Sequence, residues 1–280
     1  MNGLVILDLK NLKVYKALDK DLEPDFTKNE QKAATLNKLN PPIYSSFNVN
    51  NYDVVVQKLV PNEKKLLWKD WRQRLYKIFN LIIVPENEVI HLSSNDYVNE
   101  IKKKLDEMGS NESYLLEYQK SIKNDLIILL DKYNKKGILY KFFAHGDLTP
   151  NNVFISDNSY VLIDFANGGI LNFTYDLMLQ NFYFSNNKTW KKFHDIKFKN
   201  NQEEDIFFGT SKYFFKKFEN TFNLNINEED IKLSIIIALS EIFIKNYYRY
   251  QSEEEWIDGV SMLKKVQVIC KHIKESSCAL

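Results

Sequence analysis

The hydrophobic pattern of the chain changes character near Pro61. Before it, apolar residues come in short blocks. "VILDL" and "LKVYKAL", parted by Lys10 and Asn11, predict a β-hairpin. "LEPDFTKNEQKAATLNKLN" follows with helical spacing, Leu36 and Leu39 sharing a face and Pro41-Pro42 stopping it. "YDVVVQKLV" is a β-branched run that predicts another strand, closed by Pro61. Residues 1–60 therefore read as a small sheet with one helix, and residues 61–280 as a second, mostly helical lobe hinged at Pro61. In that part, "KKLLWKDWRQRLYKIFNLI" places Leu67, Trp71, Leu75 and Ile78 at three- and four-residue steps, and "SYLLEYQKSIKNDLIILLDKYN" predicts a second helix. Two strand-like runs, "NVFIS" and "YVLIDF", flank the turn "DNS". Three helical segments complete the chain, from Glu203 to Phe222, Glu228 to Tyr250 and Glu253 to Lys274. Asn227 and Asp230 offer cap chemistry to the middle one.

Composition narrows the class without naming a function. The chain has 280 residues, 44% hydrophobic and 27% charged, which suits a well-buried globular protein. A formal net charge of +1 gives no bulk attraction for nucleic acid. Lys102, Lys103 and Lys104 sit beside acids and read as a solvated helix face. Cys270 and Cys278 are too few for a disulfide framework and lack metal-site spacing, which fits a reducing compartment. The start has no signal-peptide pattern. "LSIIIALSEIFI", interrupted by Glu241, is too short to span a bilayer. A soluble cytoplasmic protein is expected.

The chemistry concentrates in "FFAHGDLTPNNVFISDNSYVLIDFANGG", residues 142–169. Phosphoryl transfer to an alcohol needs divalent cations on the phosphates, hard oxygen ligands for them, and a carboxylate that orients the hydroxyl and takes its proton. Asp147 follows one apolar run, Asn152 lies five residues on, and Asp164 ends the strand "VLID". A loop returning into a hairpin would bring Asn152 and Asp164 to one metal site and leave Asp147 facing the substrate. Asp147 and His145 are the candidate catalytic residues, His145 by bracing the loop. A polar turn between core strands is the plain alternative.

"HGDLTPNN" resembles the catalytic loop H-x-D-L-x-x-x-N of the protein-kinase-like superfamily, and "IDF" its metal-binding step. Gly146 in second place resembles the small-molecule branch: aminoglycoside phosphotransferases, choline kinases and bacterial surface-glycan kinases. That branch tends to carry a further Asp twelve residues past the metal Asp in a "YDL"-like setting, and Asp176 stands there between Tyr175 and Leu177. The resemblance implies an α+β, bilobal protein-kinase-like fold with a reduced N-terminal β-sheet lobe and a mainly helical C-terminal lobe. It implies ATP and Mg²⁺ as cofactors, Asn152 and Asp164 as metal ligands, and Asp176 as a support of the catalytic loop. In the N-terminal lobe it implies Lys16 for the phosphates and Val14, on the same strand face, against adenine. Glu30 is the partner for Lys16, although "TKNE" also reads as a capping box with Thr27. Main-chain groups from Gln57 to Leu59 would meet the adenine edge. Three features depart from the pattern. No G-x-G-x-x-G precedes Lys16, Asn151 stands where relatives often have Gly, and Ala166 replaces an acid common in choline kinases.

Only eleven residues separate Asp164 from Asp176, too few for a protein-kinase activation segment, so the expected acceptor is a small molecule or glycan. Choline would suit an aromatic box, for which Tyr247, Tyr248 and Tyr250 are candidates. An aminoglycoside would suit acids such as Glu241, Glu253, Glu254, Glu255 and Asp258. The "HGDLTP" and "YDL" settings look most like kinases of surface-polysaccharide pathways, which favours a sugar hydroxyl. A nucleotide-binding pseudokinase without turnover and an effector that modifies host proteins are the remaining alternatives.

Overall fold

The structure, a computed structural model, describes residues 3–21, 24–36, 41–60, 64–65, 68–108, 116–156, 159–184 and 201–249, with a few isolated positions after 265. Pro61, Leu67, Cys278 and nearly all of the segment from Glu253 to Lys274 lie outside them, as do the side chains of Trp71, Tyr247, Tyr248 and Tyr250. Two compact units emerge. The first comprises Met1–Glu88, Phe143–Leu171 and Asn200–Leu224; the second comprises Val89–Phe142, Asn172–Lys199 and Asn225–Leu280.

The first unit opens on the expected hairpin, strands β1 (Gly3–Asp8) and β2 (Lys13–Asp19). Helix α1 (Phe26–Leu36) comes next, then β3 (Ile43–Val49) and β4 (Tyr52–Lys58). The four strands form one antiparallel sheet in the order β1-β2-β4-β3. Strand β3 was not expected from the sequence. Six of its seven residues are exposed, so no apolar alternation marks it. Its hairpin with β4 turns at Asn50, whose φ of 53° is the left-handed region that Asn tolerates. Helix α1 packs on β3 and β4 and buries Phe26 and Ala33; in β4, Val54, Val55 and Val56 are buried, and Val55 shares a sheet face with Lys16 and Gln57, which bond α1 through Glu30. The helix begins at Phe26, two residues after Pro24.

Strand β5 (Lys64–Lys65) pairs with β8 (Val153–Ser156), which pairs with β9 (Ser159–Leu162). The apolar stripe of helix α2 (Trp68–Ile82) buries Leu75 and Ile78 as its spacing predicts. Phe79 of α2 meets Phe214 of helix α6 (Asn201–Phe222) edge to face, centroids 5.0 Å apart.

The second unit pairs β6 (Val89–Ser93) with β7 (Ile138–Ala144), Val89 opposite Phe142. Its helices are α3 (Ser94–Glu107), α4 (Leu116–Tyr133), α5 (Tyr175–Phe184) and α7 (Glu228–Arg249). Helix α7 packs against the other three. It buries Leu233 and the run Ile235 to Leu239, which is why its apolar residues show no single stripe. Asn227 caps it, its Oδ1 accepting from the Asp230 amide at 2.9 Å. The Lys102–Lys104 face is solvated, with Lys102 on Asp131 at 2.7 Å. Glu241, in the middle of α7, is partly buried; it accepts from the Tyr97 hydroxyl and, at 3.3 Å, from the Asn172 amide. No helix among the described residues is long and apolar enough to cross a membrane.

Candidate active site

The site residues of the first unit fall into two hydrogen-bonded groups, one on the sheet and helix α1, the other on the loop from His145 to Asn152. In the first, Lys16 lies on β2 and its Nζ is 2.8 Å from Glu30 Oε1. Glu30 is completely buried, and its second oxygen accepts from Gln57 Nε2 at 2.7 Å. A buried carboxylate needs such saturation, since an unpaired charge there costs several kcal/mol, about 3–5 for a broken buried pair. Glu30 therefore serves Lys16 and not a capping box. Thr27, the other half of that box, turns its hydroxyl to Asp53 Oδ2 at 3.2 Å. Val14 faces Gln57 across the β2–β4 ladder.

Part of the Gln57–Leu59 main chain is already hydrogen-bonded. The Lys58 amide is committed to the Pro42 carbonyl at 2.9 Å and the Leu59 amide to the Leu12 carbonyl at 2.8 Å. Donors for an adenine edge are thus spent on the fold at Lys58 and Leu59, and the Gln57 side chain belongs to the Glu30 network.

The second group is built by the loop itself. From Phe143 to Pro150 every residue is buried except Asp147. Gly146 makes the turn possible. Its φ is +77°, and a Cβ there would lie 1.8 Å from the Asn167 carbonyl oxygen. His145 is fully buried. Its Nδ1 accepts from the Asp147 amide at 3.3 Å, so its Nε2 carries the proton and donates to the Ile163 carbonyl at 3.0 Å. Burial holds the ring neutral, pulling its pKa down to about 4; the Glu30 carboxylate opposes this and the Lys16 ammonium adds to it. His145 thus feels both members of the first group. With both ring nitrogens engaged, it is a brace and not a proton carrier.

Asn152 closes the 3₁₀ turn Pro150–Asn152 and donates from Nδ2 to the Asp147 carbonyl at 2.8 Å and to the Asp147 carboxylate at 3.1 Å. Its amide donors point to Asp147, which leaves Oδ1 as the side-chain oxygen that could meet a cation. The Asn152 carbonyl accepts from Ile163 at 3.0 Å, one residue before Asp164. The loop and the Asp164 strand end are thus tied twice, through His145 and through Asn152. Asp164 itself has φ 66°, a left-handed conformation rare outside Gly, Asn and Asp. The next residue, Phe165, packs its ring 4.2 Å from His145.

No three His, Cys, Asp or Glu side chains gather closely enough to hold a metal among the described residues. Asp164 and Asn152 offer one carboxylate and one amide oxygen, which fits an ion that takes few protein ligands and completes its shell with phosphates and water. Asp176 is the second residue of α5, in the second unit, and is 1% exposed.

One residue escaped the sequence reading. Asn29, buried beside Glu30 on α1, donates from Nδ2 to the Gly168 carbonyl at 2.6 Å. The Gly168 amide in turn donates to Phe165 at 2.8 Å. Helix α1 thereby holds Lys16 through one residue and the turn after Asp164 through its neighbour. The only signal was its place next to Glu30, which periodicity does not reveal.

No family model matches the chain, and no curated protein sequence matches it. Solved structures do. Choline kinase LicA from Streptococcus pneumoniae superposes with a TM-score of 0.58 at 14% identity, over 94% of this chain and 90% of that one. Amicoumacin kinase hAmiN, in complex with AMP-PNP, Ca²⁺ and Ami, gives 0.57 at 10% identity, over 94% and 84%. A glucosamine kinase in complex with glucosamine, ADP and inorganic phosphate gives 0.54 at 10%, over 99% and 82%. The α+β fold of this chain is the one seen in these three solved structures.

Proposed function

We propose that this protein is an ATP- and Mg²⁺-dependent phosphotransferase acting on an alcohol group of a small molecule. The observation that carries the reading is Asp147. It is the one accessible side chain between Phe143 and Pro150, and its main chain is gripped by His145 on one side and Asn152 on the other. Such rigidity suits a carboxylate that must orient a hydroxyl and accept its proton late. In this reading Asn152 Oδ1 and Asp164 hold the cation, which neutralises phosphate charge. Lys16, fixed by Glu30, binds the phosphates, and Val14 packs on the base. Leu59 meets the adenine edge through its carbonyl, and Asp176 supports the loop. Residues 1–60 supply the nucleotide side and residues 61–280 the acceptor side. The finer reading is a sugar hydroxyl of a bacterial surface glycan. It rests on the "HGDLTP" and "YDL" settings and takes support from the sugar kinase among the similar structures. ATP supply would place the reaction in the cytoplasm.

The test is a phosphate-transfer screen over sugars, choline, aminoglycosides and generic proteins with Mg-ATP. Asp147→Ala should lower kcat by about 10²–10⁴-fold while nucleotide affinity stays within a few-fold. Lys16→Ala should raise KM for ATP instead. An Asp147→Ala protein that turns over like its parent ends the assignment.

A further inference from the structure

Strand β1 lies at the edge of its sheet, with no partner on its outer side among the described residues. In an ordinary edge strand one face is buried. Here both faces are open: Leu4, Val5, Ile6 and Leu7 are 58%, 56%, 52% and 55% exposed. Leu9 and Leu12, in the turn that follows, are open as well. Natural edge strands are blunted by a charge, a proline or a bulge. From Gly3 to Leu7 there is none. The first charge is Asp8, and its carboxylate is occupied by Asn11, at 3.0 Å through the amide and 2.8 Å through the side chain.

We propose that β1 pairs with β1 of a second copy of this chain, antiparallel about a two-fold axis at Val5, joining two four-stranded sheets into one. The strand is self-complementary in that register. Two-fold pairing within a sheet requires opposed residues to share a face, so their numbers must sum to an even value. Centring on Val5 sets Leu4 against the partner's Ile6 on one face. Val5 meets the partner's Val5, and Gly3 the partner's Leu7, on the other. Every pair is uncharged, and both Asp8 carboxylates fall outside the paired segment. Pairing over Gly3–Leu7 would cover the flanks of Leu4, Val5, Ile6 and Leu7 in each copy and bury less than about 1,000 Å² in all, the size of a weak, transient contact. The association is accordingly concentration-dependent. This inference is independent of the proposed activity.

Sedimentation equilibrium of the full chain tests it. Over roughly 1–100 µM the mass should rise from 33.2 kDa toward twice that value. Ile6→Lys, which seats an ammonium against the partner's Leu4, should stay monomeric, with its melting temperature nearly unchanged because Ile6 is half exposed. Leu4→Glu combined with Ile6→Lys should restore the dimer, since each Glu then opposes a Lys of the other copy. A parent that stays monomeric at 100 µM overturns the proposal and leaves the edge to a strand of another protein. So does an Ile6→Lys chain that still dimerises, a double variant that does not recover, or open-ended assembly.

Discussion

At Gly146 a single missing carbon decides the shape of the loop. Its backbone is left-handed, and the Asn167 carbonyl occupies the place a side chain would take. Gly146→Ala meets both obstacles. It should destabilise the protein by about 3 kcal/mol or more, and it should reduce phosphate transfer beyond what the loss of folded protein explains. Chemical denaturation beside an activity assay on the folded fraction checks this. The candidate residues were legible in the sequence, because Asp147, Asn152 and Asp164 lie within eighteen positions of one another and carry a fixed spacing. What spacing does not carry is tautomer and reach. That His145 donates to Ile163, and that Gln57 completes Glu30, depend on burial and on partners far along the chain.

Helix α1 is the element that links the two halves of the site. Its Glu30 fixes Lys16, and its Asn29 holds the Gly168 carbonyl behind Asp164. Asn29→Ala removes the part-buried hydrogen bond to the Gly168 carbonyl, at a cost of about 0.5–1.5 kcal/mol. If the phosphotransferase reading holds, it should raise KM for Mg-ATP more than it lowers kcat, since the shifted turn carries the cation ligand and not the base. Asn29→Asp should be worse, because it sets a carboxylate against a carbonyl oxygen. Equal effects on both parameters would assign Asn29 to folding alone. Among the elements, the first hairpin, α1, α2 and α4 announce themselves by period and by stop signals. Strand β3 does not, because it is exposed on both faces. Helix α5, "YDLMLQNFYF", is apolar around much of its circumference and shows no stripe. Helix α3 buries Tyr97, Val98, Ile101 and Leu105, and its lysine run drew attention to the opposite face.

For the molecule as a whole, two titratable groups pull stability in opposite directions with pH. His145 titrates near 6.5 when unfolded and near 4 in the fold, so the stability present at neutral pH drains away as pH falls from 6.5 through 4, about 3 kcal/mol in all. Glu241 behaves oppositely. Burial raises it from 4.5 to about 6, against the Tyr97 hydroxyl and Lys141, so stability present below 4.5 is lost as pH rises through 6, about 2 kcal/mol. Between pH 4.5 and 6 the two slopes offset each other. His145→Gln keeps a donor for Ile163 and removes one slope. The difference in unfolding free energy between parent and variant should shrink steadily as pH is lowered from 7.5 to 4.5. A difference independent of pH would show that His145 is not the neutral, buried group described here.

The bend at Asp164 has an evolutionary reading. Its left-handed backbone admits few residues at ease, chiefly Asn and Gly besides Asp. Either replacement erases the negative charge and keeps the contour. One nucleotide change in an Asp codon yields Asn or Gly, so on the proposed phosphotransferase reading a silent copy of this protein, intact in form and without the carboxylate for a cation, lies one mutational step from the working one.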